Sequence, residues 1–290
     1  MSPRWMVACA ALAAVLPAAA RAEGLTPRET APLTVSRVST ALPVVALTFD
    51  ACPTRDRRGF DREVFEILRR EKVPATVFVS GRWVEKHWRE ARELAVEPLI
   101  EFGNHSYRHP AFSRMTVAQV RAEIDATDKL IAELGHQSVA VRPPFGDWAA
   151  WLPEATGGQP VVLWDVVSGD AGGHISADAI VNTVSAGAQP GSIVVFHING
   201  RGPYTKQALP RIIRRLRARG LRFVRVSELL ALEGAEIVKA QPQRYTKKLR
   251  VKAHEDLRDE LQDDLYDHPS GEPDQHADPK GAPGGSTPPG

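Results

Sequence analysis

Cysteine is nearly missing: 290 residues hold two, Cys9 and Cys52. Cys9 sits in an alanine-rich apolar stretch, Met6–Ala20, that follows Arg4, is broken by Pro17 and ends at Ala20-Arg21-Ala22 before Glu23. That is the pattern of a cleavable export signal over residues 1–22; an uncleaved anchor is the alternative. Removal of the leader leaves Cys52 alone, so no intrachain disulfide can form and burial of a core must hold the fold. Long apolar runs are equally scarce, and no other segment reaches the length of a membrane span. Stable membrane insertion after cleavage is therefore not expected, and the expected location is periplasmic or extracellular. Net charge is also small, +2. It is unevenly placed: ten acidic and two basic residues from Glu255 to Gly290 give that segment −8, and the rest carries +10. The basic body suits a polyanionic surface such as a cell wall or is an ordinary solvated surface. No nucleic-acid partner is expected.

What is present is alternation. Residues 23–43, rich in Thr, Pro and Ser, read as an irregular lead-in. Short apolar runs then follow at Val44–Phe49, Ala75–Val79, Leu99–Phe102, Val139–Val141, Val161–Trp164, Ser192–Phe196 and Arg222–Val226. Continuous apolarity over a few residues fits strands buried on both faces. Helical spacing fills the intervals at Phe60–Arg70, Thr116–Leu134 and Ala208–Arg219, with Thr116 and Ser176 as caps. The pattern predicts an α/β fold, a distorted (β/α) barrel with about seven parallel strands, over residues 44–232. Residues 233–290 read as a charged, mostly disordered tail, with leucines spaced for one amphipathic helix within 255–267.

Polar clusters end these apolar runs, where parallel α/β folds gather their functional groups. His105 and His109 are four apart; on one helical turn both rings would share a side, as a two-histidine metal site needs. Exposed helices show the same spacing without a metal, and it is the position just after Leu99–Gly103 that favours ligation; Asn104 is a candidate support for a ring. Asp50 closes the first run and is placed to take a proton from a water, or else to cap a turn. Arg142, before Pro143-Pro144, is placed to orient Asp50, or is a surface arginine. His197 ends another run, and a partner at Asp170 would keep it protonated as a general acid; a buried structural histidine is the alternative. Asp165 is a weaker candidate for a supporting role. Cys52 reads as a small buried residue beneath a loop rather than a nucleophile, because nearby Asp50 would raise its pKa.

Thr48-Phe49-Asp50, His105 to His109, Arg142-Pro143-Pro144-Phe145-Gly146, Asp170 and Phe196-His197 carry a resemblance. From about Val44 to Leu230 the chain is similar to the polysaccharide deacetylases with a NodB-homology domain, carbohydrate esterase family 4. The resemblance implies metal-dependent removal of acetyl groups from an N-acetylated sugar, hydrolysis of a carbon–nitrogen bond that is not a peptide bond. It implies Asp50 as general base, His105 and His109 as metal ligands, Arg142 orienting Asp50, and Asp170 tuning His197 as the acid. The Phe145 N–H would help bind the oxyanion, with Phe145, Trp148 or Trp164 as an aromatic rim for sugar rings. Two positions depart from the family. Ala51 stands where a second, metal-binding aspartate is usual; either the metal keeps the two histidines plus waters, or another oxygen donor steps in, with Asp61 the expected substitute and Asp56 behind it. Ala171 stands where a tryptophan usually follows Asp170.

Zinc suits the histidines best, with cobalt, nickel and manganese as alternatives. The expected substrate is an N-acetylated polysaccharide: chitin-like, peptidoglycan or exopolysaccharide. Rival readings are a non-catalytic glycan-binding relative, an O-acetyl polysaccharide esterase, and a scaffold acting through the acidic tail.

Overall fold

The computed structural model describes residues 34–54, 59–172, 175–232 and 236–239. The expected leader, residues 23–33 of the lead-in, Asp56 and the acidic segment from Glu255 lie outside them. The lead-in is not irregular throughout. Thr34–Ser39 is a strand (β1), and Glu236–Lys239, within the expected tail, is another (β9) that pairs antiparallel with it. Val35 and Val38 bury their branched side chains there, which is what draws this segment onto the body.

Between them runs the expected alternation. β2 (Val44–Ala51) leads to α1 (Arg62–Arg70) and β3 (Ala75–Val79). Next come α2 (Gly81–Lys86), α3 (Trp88–Ala95) and β4 (Ile100–Asn104). α4 (Val117–Glu133) and the short α5 (Leu152–Ala155) precede β5 (Val161–Val162) and β6 (Val166–Val167). α6 (Ala177–Gly187), β7 (Ile193–His197) and α7 (Thr205–Ala218) follow, then β8 (Arg222–Phe223) and α8 (Val226–Leu230). Thr116 closes a reciprocal capping box with Gln119, and the Ser176 side chain caps α6, as their sequence positions predict.

The strand order is β4-β3-β2-β7-β6, all parallel, with β8 beside the start of β2. Parallel bridges from Asn104 to Val141 and from Val141 to Val161 carry the pairing on to β5. Among the described residues β5 and β6 do not pair with each other; β1 lies along β5 and bridges to Ser192, so the barrel is distorted there. Its core is split by strand alternation: Val45, Leu47, Phe49 and Ala51 face the helices, while Val44 and Ala46 face the interior with Phe78 and Ile193. Register then aligns the strand ends. His197, Asp50, Phe78 and Gly103 form one row across β7, β2, β3 and β4, and Ala51, Val79, Asn104 and Val141 form the next.

Candidate active site

Asp50 lies in the first of those rows, buried, and its Oδ1 accepts from Arg142 Nη1 at 2.7 Å. Arg142 is fully buried and spends its other donors on the Val162 and Leu163 carbonyls, 3.2 and 3.1 Å away. Its guanidinium lies 3.9 Å from the Phe78 ring centroid and 5.4 Å from that of Trp164. A Cβ at Gly103 would collide with the Phe78 ring, so glycine there lets Phe78 sit beneath the arginine. Burial pulls the Arg142 pKa below its ordinary value, and the charge and hydrogen bond of Asp50 oppose that pull.

The histidines converge, but not by helical geometry. Residues 105–111 form a loop, in which Ser106 and His109 take left-handed backbone conformations at φ 62° and 66°. Such angles are uncommon for non-glycine residues and turn the chain sharply enough to bring the rings together. The two Nε2 atoms are 3.1 Å apart. His105 Nδ1 contacts the Arg142 carbonyl at 2.8 Å; a carbonyl only accepts, so Nδ1 carries a proton and Nε2 is the ring atom turned toward His109. His105 Nε2 is 3.7 Å from Asp50 Oδ2.

The loop is held from α4 by a residue that sequence reasoning missed. Glu123, buried, accepts from the Tyr107 and Arg108 amides at 3.0 and 2.6 Å and from Arg108 Nη1 at 2.8 Å. Its signal was available: a glutamate three residues after Val120, on the buried face of α4. Asn104 supports the same loop rather than a ring, accepting from Ser106 N at 2.9 Å and donating to Ile124 O and Asp128.

The second carboxylate pair, Asp170 with His197, is equally well built. Asp170 Oδ1 meets His197 Nδ1 at 2.9 Å, and Asp170 Oδ2 accepts from His197 N and Thr205 Oγ1, each at 2.8 Å. Burial works against a charged His197, but the charge and hydrogen bond of Asp170 override it and raise its pKa well above the ordinary range. Burial likewise opposes the charged form of Asp170, yet His197 brings its pKa down. Phe145 is left-handed (φ 61°, ψ 5°), and its ring packs edge-on to His109 with centroids 4.6 Å apart. Trp164 flanks Arg142 and Trp148 packs beside the Phe112 cluster, and both are partly buried.

Three expectations change. Asp61 is the N-cap of α1, its Oδ1 accepting from Val64 N at 3.2 Å, and is not drawn toward the histidines. Asp165 clamps the start of β7 through Ser192 Oγ and Ile193 N, both at 2.8 Å. Cys52 is buried as expected, but its thiol faces imidazoles. Burial pushes its pKa up, and the charge of His109 with hydrogen bonds from His105, His109 and His197 outweighs this, holding it well below the usual thiol range. Donor atoms of Cys52, His105 and His109 all lie within 4.8 Å of one another, and among the described residues this is the cluster that could hold a metal ion. Three buried nitrogen and sulfur donors, one already oriented by a carbonyl, fit a divalent ion.

This geometry accords with the comparisons. The sequence model of the family described as polysaccharide deacetylase matches residues 37–156. The chain is 32% identical over 187 residues to a peptidoglycan-N-acetylglucosamine deacetylase of Bacillus cereus, covering 62% of this chain and 66% of that protein. It is 31% identical to a chitooligosaccharide deacetylase of Sinorhizobium fredii, covering 57% of this chain and 76% of that one. Among solved structures, a carbohydrate esterase family 4 pseudoenzyme from Bacillus anthracis aligns at a TM-score of 0.62 and 26% identity, covering 69% of each chain. A mutant of that pseudoenzyme, described as having restored enzymatic activity, aligns equally at 0.62, with 27% identity, 69% of this chain and 71% of that chain. The chain belongs to the polysaccharide deacetylase family. It spans just under two thirds of the length of the Bacillus cereus relative, 66%.

Proposed function

We propose that this protein is an exported, metal-dependent hydrolase that removes acetyl groups from N-acetylated sugars of a polysaccharide, chitin-like, peptidoglycan or exopolysaccharide. The observation that carries the reading is the meeting of Asp50, paired to Arg142 at 2.7 Å, with two histidines whose Nε2 atoms are 3.1 Å apart. A divalent ion, zinc for preference and cobalt, nickel or manganese as alternatives, would be held by His105 and His109 and would supply Lewis acidity toward water and the amide carbonyl. Asp50 takes the proton of the attacking water, with Arg142 holding its carboxylate in place. The Phe145 N–H donates to the carbonyl oxygen as negative charge develops there. His197, kept charged by Asp170, protonates the departing nitrogen. Acetate and a free amine result, and the proton taken at Asp50 balances the one given by His197. Export rests on the leader pattern of residues 1–22, and among the described residues no helix is long and apolar enough to cross a membrane.

A second reading, a glycan-binding relative without catalysis, is favoured by Ala51 and by the likeness to a pseudoenzyme. The two intact carboxylate pairs weigh against it, because a binding surface needs neither a general base nor an acid. Acetate release by the purified, zinc-loaded chain decides between them. N-acetylglucosamine oligomers and peptidoglycan should yield acetate in preference to O-acetylated xylan. Release from xylan alone would reassign the bond. Stoichiometric metal with no acetate from any of the three would leave the binding reading.

A further inference from the structure

We propose that Cys52 is the third protein ligand of the metal, a thiolate standing where a carboxylate would otherwise complete the site. The proposal rests on the reading above only in requiring a divalent ion at His105 and His109. Strand alternation is the starting point. Ala51, at the end of β2, faces the helix layer among apolar residues, while Asp50 faces the mouth. One residue further on, Cys52 returns to the side of Asp50. Its donor atom falls within 4.8 Å of one nitrogen on each of His105 and His109, and all three residues are buried. Two donors about 2.0–2.1 Å from one tetrahedral ion stand about 3.3 Å apart; the histidine Nε2 atoms are 3.1 Å apart.

The thiol is also held in place. The Cys52 carbonyl accepts from Asn199 Nδ2 at 3.0 Å, and the preceding Ala51 carbonyl accepts from Ser80 N and Oγ, both at 3.1 Å. A backbone pinned on both sides of the peptide presents the sulfur without further ordering. Cys52 makes no disulfide that would otherwise account for a buried sulfur among imidazoles. Three protein donors leave one tetrahedral position open, the arrangement of a catalytic rather than a closed structural site. A soft sulfur donor shifts preference toward zinc and cobalt and away from manganese.

Cobalt loading of the metal-stripped full chain tests this without reference to turnover. The wild-type protein should bind one equivalent and show a near-ultraviolet thiolate-to-cobalt charge-transfer band. Cys52→Ser should lose the band while Cys9 is still present, which assigns the sulfur. Loss of an outer partner of a ligand typically costs 10–100-fold in affinity, so loss of the ligand itself should cost at least about 100-fold in zinc competition titrations. Cys52→Asp should recover part of the affinity with no band, and circular dichroism of the metal-free variants controls for folding. A wild-type cobalt form without the band overturns the proposal, as does a folded Cys52→Ser variant that binds zinc as tightly as wild type. Acetate release that persists in such a variant leaves the deacetylase reading standing while Cys52 falls. A wild-type chain that shows the band but releases no acetate does the reverse.

Discussion

Arg142 acts through its shape as much as its charge. One planar group reaches Asp50 and two backbone carbonyls while lying against Phe78, and a lysine ammonium cannot make all of these contacts at once. Arg142→Ala should reduce acetate release by roughly 10²-fold or more and, by leaving a buried carboxylate without its partner, destabilise the fold by about 3–5 kcal/mol. Steady-state kinetics and denaturant unfolding check the two halves. At His197 the expected effect is on pH. Asp170 raises the ring's pKa, so the acid form persists above the ordinary value of about 6.5 and is lost as pH rises through the raised value. Asp170→Asn removes the charge and leaves burial, which pushes the pKa down. The alkaline limb of kcat/KM should move to lower pH, with the rate reduced roughly 10²-fold; an unmoved limb would assign it to another group. The stability contributed by the pair follows the same signs. The His197 share is full below about pH 6.5 and fades as pH climbs through the raised folded value. The Asp170 share is full above about pH 3.9 and fades as pH falls through the lowered one. Asp50, Arg142 and His197 were legible in the primary structure because each closes an apolar run, and Asp170 by its place in the polar cluster that follows Val161–Trp164. The role of Cys52 was not, because its environment is made of three imidazoles from distant segments, which reverse the effect expected from Asp50.

Among the elements, α4 and the loop it supports matter most. The capping box at Thr116 and the apolar face of α4 follow from local spacing, and the structure reproduces both. The bend of residues 105–109 does not follow from spacing, since two histidines four apart suit a helix as well as this loop. Asn104 and Glu123 decide the matter by accepting the loop amides. Glu123→Gln keeps the volume but turns one acceptor oxygen into a donor facing N–H groups. Zinc affinity should therefore fall by about 10–100-fold, the usual cost of losing an outer partner of a metal site, with a smaller effect on KM for the glycan. Competition titration with a chromophoric chelator measures the first. Affinity equal to wild type would mean that the loop holds its bend without Glu123. A similar limit applies at β5 and β6, where the run Val161–Trp164 yields the two-residue strand β5 and Val166–Val167 beyond it forms β6. The two pair differently, β5 with Val141 on one side and β1 on the other, and β6 with β7, which distorts the barrel there.

Taken together, the site is assembled from segments between Asp50 and His197 across the carboxyl ends of parallel strands, so its integrity should depend on the metal. Chelation should abolish acetate release, and zinc should restore it. Zinc at 100 times its dissociation constant should stabilise the native chain by about 2.7 kcal/mol, read as a rise in thermal midpoint. A midpoint indifferent to zinc would argue against a site formed only in the folded state. Local pattern was enough for the parallel α/β alternation, the helix caps, and the gathering of Asp50, His105, Arg142, Asp170 and His197 at one end. Apolar periodicity and strand termini are properties of a few neighbouring residues, and parallel pairing brings the ends together once they exist. Tertiary packing alone decided that β1 and β9 join the body and that Cys52 faces both histidines. Those outcomes depend on which residues meet across strand register and loop backbone, and contacts between segments fifty residues apart leave no periodic trace along the chain.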